Sequence, residues 1–414
     1  MKVYLESLGC KLNQCERETL AKGFDNAGHT VVGTPQEADV CVVNTCAVTQ
    51  TAAGKSRRRF HHLRRANPAA RLVATGCYAT LDGEDLDVDL AVINDLKEDL
   101  IALVEARVEG WGILPSSSGC QPILTSRTRP MVKIQDGCDN ACAYCIVHIL
   151  RGKQRSRPRE AILQEVSNLV QQGYHEVVLT GVHVGAYGRD LDDSLVGLVR
   201  AILDHAPPER LRLSSIEPWD LTPGFFALWQ DPRLCKHLHL PLQSGCDDTL
   251  SRMNRRYTTD QYAELVARAR AAIPDLALTT DVIAGFPGES EQAFAETAAF
   301  VERMAFARAH VFCYSARPGT LAAEMPEQVP LDVRRQRARA LREIAQLSAE
   351  AFRQCFLGRT MPVLWEVQQR NGLWSGLTDN YVRVYADSDQ DLSNMVHDVV
   401  LERLDADGVR GRLV

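Results

Sequence analysis

The sequence contains no long hydrophobic segment, which argues against an integral membrane protein. Its longest apolar runs, such as Val40 to Val43, are far too short to cross a bilayer. The first residues form a strand pattern, Val3 to Leu5, and lack the basic and apolar segments of a signal peptide. We therefore expect a cytoplasmic protein with no membrane partner.

An overall excess of positive charge is also absent. The 414 residues carry a formal net charge of −6, and 45% are hydrophobic, as in an ordinary globular protein of two or three domains. Positive charge is instead concentrated locally. Residues 40–81 contain no acidic residue, and their basic residues are Lys55, Arg57, Arg58, Arg59, Arg64, Arg65 and Arg71. This segment is a candidate surface for nucleic-acid phosphates, and a solvated helix face is the alternative.

The cysteines do not have the pattern of a disulfide framework, because 13 of them, an odd number, are scattered over a long chain. Three lie close together with the spacing C-x3-C-x2-C, at Cys138, Cys142 and Cys145. Three thiolates can hold three irons of a 4Fe-4S cluster and leave the fourth iron without a protein ligand. A structural zinc site is the alternative, but it normally takes four protein ligands.

Residues 1 to about 110 alternate strand and helix patterns. The predicted strands are Val3–Leu5, Asp39–Val43, Arg71–Thr75 and Leu90–Ile93, and the predicted helices are Asn13–Ala27 and Gln50–Ala66. Such alternation indicates an open parallel sheet with helices on both faces.

Three more cysteines follow strands of this sheet: Cys10, Cys46 and Cys77. Because the carboxyl ends of parallel strands share one edge, we expect these thiols to converge as a second three-thiolate site. The alternative is that they are small buried hydrophobic residues, which is the interpretation we adopt for Cys41 in the middle of a strand.

A Pro/Ser/Gly-rich linker is predicted over residues 112–129, and a longer strand and helix alternation follows it. Its predicted strands are Met131–Gln135, Val177–Thr180, Leu211–Ser214, His237–Leu240, Leu278–Ile283 and Ala309–Tyr314. Six such units predict a full or partial β/α barrel whose ligands bind at the strand carboxyl ends. A helix from Leu331 to Leu357, capped by Gly358, then leads to alternating residues that predict a small β-barrel.

The C-x3-C-x2-C motif, with the aromatic Tyr144 before its last cysteine, resembles the signature of radical S-adenosylmethionine (SAM) enzymes. The whole chain resembles the radical SAM methylthiotransferases. The motifs that carry this resemblance are Leu8-Gly9-Cys10, Asn44 to Thr49, Gly76-Cys77-Tyr78, Lys133 to Cys138, Arg151 to Arg157, His239 to Gly245 and Asp281 to Glu289.

The resemblance implies an α/β chain with an N-terminal methylthiotransferase domain (1–111), a linker (112–129), a radical SAM partial (β/α)6 barrel (130–330), a connecting helix (331–357) and a TRAM-like RNA-binding β-barrel (358–414). It implies two 4Fe-4S clusters, one on Cys138, Cys142 and Cys145 that binds and cleaves SAM, and one on Cys10, Cys46 and Cys77 that holds the transferred sulfur. The SAM contacts that it implies are Tyr144, Gly181, Ser215, Glu217, Gln243, Ile283 and Gly285.

Within the family, the chain is most similar to the branch that methylthiolates N6-threonylcarbamoyladenosine beside the anticodon of tRNA. The implied partners are the tRNA anticodon stem-loop, an electron donor such as flavodoxin or ferredoxin, and an unidentified sulfur donor. Because the C-terminal barrel holds nine acidic residues against six Arg, we expect it to use a restricted patch near Arg359, Arg383, Arg410 or Arg412. The alternatives are isopentenyladenosine in tRNA or a ribosomal protein as substrate, or a non-catalytic iron–sulfur carrier or redox sensor.

Overall fold

The computed structural model describes residues 1–113 and 127–414, so most of the predicted linker lies outside the described residues. The chain divides into two compact units. The first comprises residues 1–126, 136–153 and 315–323, and the second comprises residues 127–135, 154–314 and 324–414. No helix in the described part of the chain has the length and apolar character needed to span a membrane.

The first unit is built on a five-stranded parallel sheet with the strand order β2-β1-β3-β4-β5. Its strands are β1 (Lys2–Ser7), β2 (Thr30–Val32), β3 (Val40–Thr45), β4 (Arg71–Gly76) and β5 (Leu90–Val92). Its helices are α1 (Lys11–Asn26), α2 (Gln50–Ala66), α3 (Cys77–Asp82), α4 (Leu100–Val108) and α5 (Val147–Arg151). The predicted open parallel sheet is therefore confirmed.

Strand β3 lies at the centre of this sheet and shows why helices cover both of its faces. All six of its residues are buried. Val40 and Val42 pack into one apolar cluster, whereas Cys41 and Val43 pack into another on the opposite face. A strand that is apolar on both sides is the usual centre of a parallel α/β sheet.

The second unit contains a partial barrel made of two three-stranded parallel sheets, with the orders β10-β9-β6 and β11-β12-β13. Its strands are β6 (Met131–Lys133), β9 (Glu176–Thr180), β10 (Arg210–Leu213), β11 (His237–His239), β12 (Ala277–Ala284) and β13 (Arg308–Cys313). Two short strands, β7 (Gln135–Asp136) and β8 (Arg155–Ser156), lie between β6 and β9 in the chain. The main helices between the barrel strands are α6 (Arg159–Gln171), α7 (Leu195–His205), α8 (Asp247–Arg252), α9 (Thr259–Ala272) and α10 (Glu291–Met304).

A closed five-stranded β-barrel ends the second unit, with the strand order β14-β15-β16-β18-β17. The short helix α11 (Leu321–Glu324) and the long helix α12 (Leu331–Gln354) precede it. Its strands are β14 (Thr360–Gln368), β15 (Trp374–Thr378), β16 (Arg383–Ala386), β17 (Val396–Asp405) and β18 (Gly408–Leu413). The predicted small β-barrel is confirmed.

Buried arginines attach this C-terminal barrel to the partial barrel. Arg210 donates hydrogen bonds to the carbonyls of Pro362 and Leu377, at 2.8 and 3.1 Å. Arg212 is fully buried and pairs with Glu176 at 2.6 Å while also donating to the Asp379 carbonyl. Charged groups of this kind are tolerated in a core because their hydrogen bonds are satisfied.

The end of helix α12 differs from the prediction. The helix ends at Gln354 with Cys355 as its C-cap, so it is three residues shorter than predicted. Gly358 is not the cap. Its backbone has φ = +81°, a left-handed conformation that glycine adopts readily, and its N–H donates to the Leu401 carbonyl. Gly358 therefore turns the chain into the β-barrel.

Candidate cysteine-ligand sites

The first cysteine trio, defined as Cys10, Cys46 and Cys77, lies at the carboxyl ends of three adjacent strands. Cys10 precedes α1 after strand β1, Cys46 directly follows β3, and Cys77 directly follows β4 as the first residue of α3. These strands are neighbours in the order β1-β3-β4. The topology thus brings together three residues that are far apart in the sequence.

Two glycines allow the loops of this trio to approach one another. Gly9 has φ = +94°, and a Cβ on it would lie 2.6 Å from both Cβ and Sγ of Cys46. Gly76, with φ = +88°, is packed so closely against the Asn44 side chain and the Thr45 backbone that a Cβ would overlap them. Both positions therefore require glycine for the turn and for the close approach.

The thiols of the trio are near enough to influence one another. Burial is the main cause that raises the pKa of Cys46, to about 11, and the neighbouring Cys10 and Cys77 raise it further. Cys10 is exposed on the surface, yet crowding around its thiol also raises its pKa, and Arg151 opposes this effect. Cys10 and Cys46 therefore resist ionisation in the protein alone, and both would lose their protons on binding a metal.

The second cysteine trio, defined as Cys138, Cys142 and Cys145, occupies one tight loop before α5. Backbone N–H groups donate to two of its sulfurs, from Asn140 to Cys138 Sγ and from Val147 to Cys145 Sγ, each at 3.4 Å. The loop is closed by the hydrogen bond from Cys145 N–H to the Cys142 carbonyl at 3.0 Å. Such N–H···S contacts stabilise thiolates and orient them towards a cluster.

The loop of the second trio can adopt its position because residue 137 is a glycine. The Gly137 backbone has φ = +68°, and a Cβ would collide with the Lys153 carbonyl. The Cys138 N–H donates to the Gly152 carbonyl at 3.1 Å, which joins the two ends of the segment. The predicted SAM contact Tyr144 lies in the same loop and is partly exposed.

A buried charge network lies beside both trios within the first unit. Arg151, only 3% exposed, donates to Glu16 and to Asp136, at 2.8 and 2.9 Å. Its second terminal nitrogen donates to Asn13 Oδ1 at 2.8 Å. Lys97 also pairs with Glu16, at 2.8 Å. Two cations and two carboxylates therefore share one buried cluster, in which every charge has a partner.

Asn94 contacts elements that follow each trio. Its side-chain amide lies 3.9 Å from Cys77 Sγ and donates to the Leu150 carbonyl in α5 at 2.8 Å. Arg151, which ends α5, likewise influences the pKa of both Cys10 and Cys46. Arg151 and Asn94 thus connect the first trio to the helix that follows the second.

Each trio fits the ligand set of an iron–sulfur cluster. Both offer three thiols from neighbouring positions, and the second adds N–H groups aimed at its sulfurs. Among the described residues, one set of three His, Cys, Asp or Glu side chains has its ligand atoms within 4.8 Å of one another, and that set is His239, Asp281 and His310 in the second unit. Neither cysteine trio is as closely spaced as that set. The donor chemistry, soft sulfur with three ligands, suits 4Fe-4S clusters that keep one iron free of protein ligands.

The other residues expected to contact SAM lie in the second unit, at the carboxyl ends of barrel strands. Gly181 follows β9, and a Cβ on it would lie 2.9 Å from the Gln135 carbonyl. Ser215 follows β10 and pairs with His239 through a parallel bridge. Glu217, two residues later, is held by Arg255, whose guanidinium lies 4.7 Å from the centre of the Trp219 ring.

Strands β11 and β12 position the remaining expected contacts. Gln243 adopts φ = +65°, and its backbone N–H and carbonyl bond to Asp281 and Ile283, at 2.8 and 2.9 Å. Gly285 has φ = +73°, and the neighbour that a Cβ would meet is the Arg334 side chain. The left-handed backbone and the packing against Arg334 therefore account for a glycine at position 285.

His239, Asp281 and His310, on three adjacent strands of the second unit, place one ligand atom each within 4.8 Å of one another. His239 Nε2 lies 3.3 Å from an Asp281 oxygen, and its Nδ1 lies 2.9 Å from the Thr279 hydroxyl. A divalent cation could bind here. Asp281 and Thr279 are therefore the polar neighbours of His239 that such a cation would have to share.

Sequence reasoning missed Glu16 and Lys97 of the buried network, and it also missed Asn94, which contacts Cys77. It identified Arg151 only as part of a motif that carries the family resemblance, Arg151 to Arg157. The one available signal was the position of Glu16 on an amphipathic helix: it projects from α1 among buried residues, where an acid needs a partner.

Comparisons with known proteins agree with this arrangement. A model of the Radical SAM superfamily matches residues 132–301, and a model described as Uncharacterized protein family UPF0004 matches residues 2–95. The threonylcarbamoyladenosine tRNA methylthiotransferase MtaB of Thermotoga maritima is 36% identical over 393 residues, which is 92% of this chain and 90% of the relative. MtaB of Bacillus subtilis is 34% identical and covers 94% of this chain and 91% of its own length.

A relative with a different name is also similar. The tRNA-2-methylthio-N(6)-dimethylallyladenosine synthase of Thermotoga petrophila is 32% identical over 100% of this chain and 97% of the relative. Among solved structures, the radical SAM methyltransferase TsrM of Kitasatospora setae, with cobalamin and a 4Fe-4S cluster bound, matches with a TM-score of 0.58 at 16% identity. That match covers 78% of this chain and 77% of TsrM, and it shows a shared fold.

Proposed function

The chain belongs to the radical SAM tRNA methylthiotransferases, and from this premise we propose that it converts N6-threonylcarbamoyladenosine beside the anticodon of tRNA to its 2-methylthio derivative. Two relatives named for threonylcarbamoyladenosine, at 34% and 36% identity over more than nine-tenths of this chain, support this substrate.

The observation that carries the proposal is the presence of two cysteine trios within one compact unit, connected through Arg151 and Asn94. In an electron carrier each 4Fe-4S cluster normally has four protein ligands, whereas each trio here offers three and would leave one iron open to a small molecule. The arrangement therefore favours an enzyme over the carrier or sensor.

Each group of site residues would have its own role. Cys138, Cys142 and Cys145 would hold the cluster that binds SAM, and Cys10, Cys46 and Cys77 would hold the cluster that receives sulfur. When bound, these clusters supply one-electron cleavage of SAM and a docking point for sulfide. The chain itself orients the thiols through the N–H groups of Asn140 and Val147. Tyr144, Gly181, Ser215, Glu217, Gln243, Ile283 and Gly285 are the proposed SAM contacts.

Helix α2 would provide part of the tRNA-binding surface. The Thr49 hydroxyl caps the start of this helix. Four of its basic residues are exposed to solvent: Lys55, Arg57, Arg58 and Arg65. Arg59, in contrast, is held by Glu6 at 2.6 Å. The four solvent-facing cations are suited to phosphate contacts, which position an RNA without reading its sequence.

The C-terminal barrel would contribute through one arginine of the four expected. Arg359 pairs with Asp275, Arg410 with Asp405, and Arg412 with Glu402, at 2.5, 3.6 and 3.2 Å. Arg383 also has an acidic neighbour, Asp407 at 3.5 Å, and it donates to the Ser375 hydroxyl at 3.1 Å. It lines a cavity of about 260 Å³ within the second unit.

Four guanidinium groups from three elements line this cavity: Arg308 on β13, Arg342 and Arg353 on α12, and Arg383 on β16. Arg342 donates to the Val311 carbonyl at 3.1 Å, whereas Arg353 Nε is buried without a hydrogen-bond partner in the described part of the chain. Asp407 is the one acid among the described residues of the lining. The cavity therefore suits a phosphate of the tRNA backbone.

Two further partners belong to the proposal. Cleavage of SAM requires a one-electron donor such as flavodoxin or ferredoxin, and the sulfur must come from an external donor or a sacrificed sulfide. A tRNA substrate would place the enzyme in the cytoplasm.

Nucleoside mass analysis of tRNA from cells with and without the gene tests the substrate. We expect 2-methylthio-N6-threonylcarbamoyladenosine to disappear in the deletion and its unthiolated precursor to accumulate. Loss of a methylthio group from isopentenyladenosine, or an unchanged nucleoside profile with a changed ribosomal protein, would instead identify one of the alternative substrates.

A further inference from the structure

Arg317 in the first unit differs from Arg151 and Lys97, the two buried cations of the network beside the cysteine trios. Both of those cations pair with Glu16, whereas Arg317 forms no ion pair with an acid in the described part of the chain. Its residue is 5% exposed, and its Nε is buried with no hydrogen-bond partner in the described part of the chain. Arg151, which is buried to a similar extent, donates to Glu16, Asp136 and Asn13. Burial also lowers the pKa of Arg317, whereas that of Arg151 is raised despite burial, chiefly by Glu16.

The surroundings of Arg317 are those of the first trio. The charged and titratable groups that influence it are Asp82, Cys46 and Tyr78. Asp82 ends helix α3, which begins at Cys77. The guanidinium therefore lies close enough to the first trio to interact electrostatically with Cys46 and with residues of the helix that begins at Cys77.

The backbone that carries Arg317 is fixed on both sides. The Ser315 hydroxyl accepts from the Gln50 N–H at the start of α2, at 3.1 Å. Downstream, the Ala322 N–H donates to the Ala143 carbonyl within the second trio's loop, at 2.8 Å. The Arg317 carbonyl accepts from the Thr320 hydroxyl at 2.8 Å. These hydrogen bonds fix the backbone that carries Arg317 before any ligand arrives.

A buried guanidinium nitrogen without an acceptor is unfavourable, because its hydration is removed and nothing replaces it, and among the described residues Arg317 Nε is such a nitrogen. The planar fork of Arg matches the two oxygens of a carboxylate or phosphate. We propose that Arg317 binds an oxyanion of the substrate nucleotide beside the first cysteine trio. This inference rests on the proposed function, which supplies two such groups: the carboxylate of the threonylcarbamoyl substituent and the phosphate of the nucleotide.

The test is the affinity of the reconstituted holoenzyme for two anticodon stem-loop RNAs, one with adenosine and one with threonylcarbamoyladenosine at the target position. Arg317→Met removes the charge, and Arg317→Lys keeps the charge but removes the fork. We expect Arg317→Met to weaken binding by about tenfold or more, as for the removal of a charged hydrogen bond, with Arg317→Lys between it and the wild type. Weakening confined to the modified RNA identifies the carboxylate, and equal weakening for both RNAs identifies the phosphate.

A second measurement separates ligand binding from a structural role. Because Arg317 forms no ion pair with an acid among residues 1–113 and 127–414, Arg317→Met should keep the iron content and thermal stability of the wild type, whereas Arg151→Met should lower both. Unchanged affinity of Arg317→Met for both RNAs would overturn the proposal, as would a decrease in stability equal to that of Arg151→Met. These binding measurements do not require turnover, so they can succeed or fail independently of the nucleoside analysis.

Discussion

Arg151 donates two hydrogen bonds to the carboxylate of Glu16, from Nη1 to Oε1 at 2.8 Å and from Nη2 to Oε2 at 3.2 Å. Arg151 ends the helix that follows the second cysteine trio, and Glu16 lies on the helix that begins just after Cys10. This bidentate pair, buried at both ends, therefore joins the supports of the two trios.

Breaking the pair should destabilise the first unit. Glu16→Gln keeps the side-chain shape but leaves Arg151 and Lys97 short of one negative charge in a buried site. We expect a decrease of about 3 kcal/mol in the free energy of unfolding, measured by urea denaturation, because an uncompensated buried charge is costly.

The matched control is the exposed pair of Arg339 and Glu343 on α12, 3.1 Å apart. Arg339→Ala should change the free energy of unfolding by no more than about 0.5 kcal/mol, as for other exposed pairs. If the two substitutions lowered the free energy of unfolding equally, the buried pair of Glu16 and Arg151 would contribute no more to stability than an exposed pair.

Gly9→Ala should prevent assembly of the first cluster. A Cβ at this position would lie 2.6 Å from Cys46 Sγ, so either the sulfur or the loop must move. We expect iron and sulfide content after anaerobic reconstitution to fall by about half, corresponding to one of two clusters, while SAM still binds.

Gly28→Ala is the control for backbone strain alone. Gly28 has a similar left-handed conformation, φ = +81°, but a Cβ there would meet nothing within 4 Å. This variant should be destabilised by about 1 kcal/mol and keep its full iron content. A reduced iron content in Gly28→Ala as well would attribute the effect to strain and not to the steric clash with Cys46.

The arginine-lined cavity should contribute to tRNA affinity. In Arg308→Gln combined with Arg353→Gln, we expect weaker binding of tRNA. The log–log salt dependence of that binding should have a slope smaller by about 1 for each phosphate that the variant no longer neutralises. Arg412→Gln, which removes an exposed residue already paired with Glu402, should leave the slope unchanged. The same slope in all three proteins would exclude this cavity from the tRNA interface.

The parts of the structure that depend on local sequence were predictable. Helix α2 was predicted and found over Gln50–Ala66, because Thr49 caps its start and its apolar residues recur at helical spacing. The convergence of Cys10, Cys46 and Cys77 also followed from the sequence, since it needs only the order of strands in a parallel sheet.

The buried polar contacts were not predictable in the same way. Lys97 is 81 residues from Glu16, and Arg151 is 135 residues from it. No local sequence pattern predicts which charged residues, far apart in the chain, will form an ion pair. Gly358 was misassigned for a related reason: its left-handed backbone suits a helix cap, but here it serves the turn into the β-barrel, whose hydrogen bond to Leu401 is set by tertiary structure.

The most direct test of the account separates the two cysteine trios. Holoenzyme in which Cys10, Cys46 and Cys77 are all replaced by Ala would be incubated with SAM, a reductant and tRNA containing threonylcarbamoyladenosine, beside the wild type. We predict that the variant still produces 5′-deoxyadenosine but forms no methylthio nucleoside, whereas the wild type forms both. Methylthio product at the wild-type rate in the variant would contradict the assignment of the first trio to sulfur transfer.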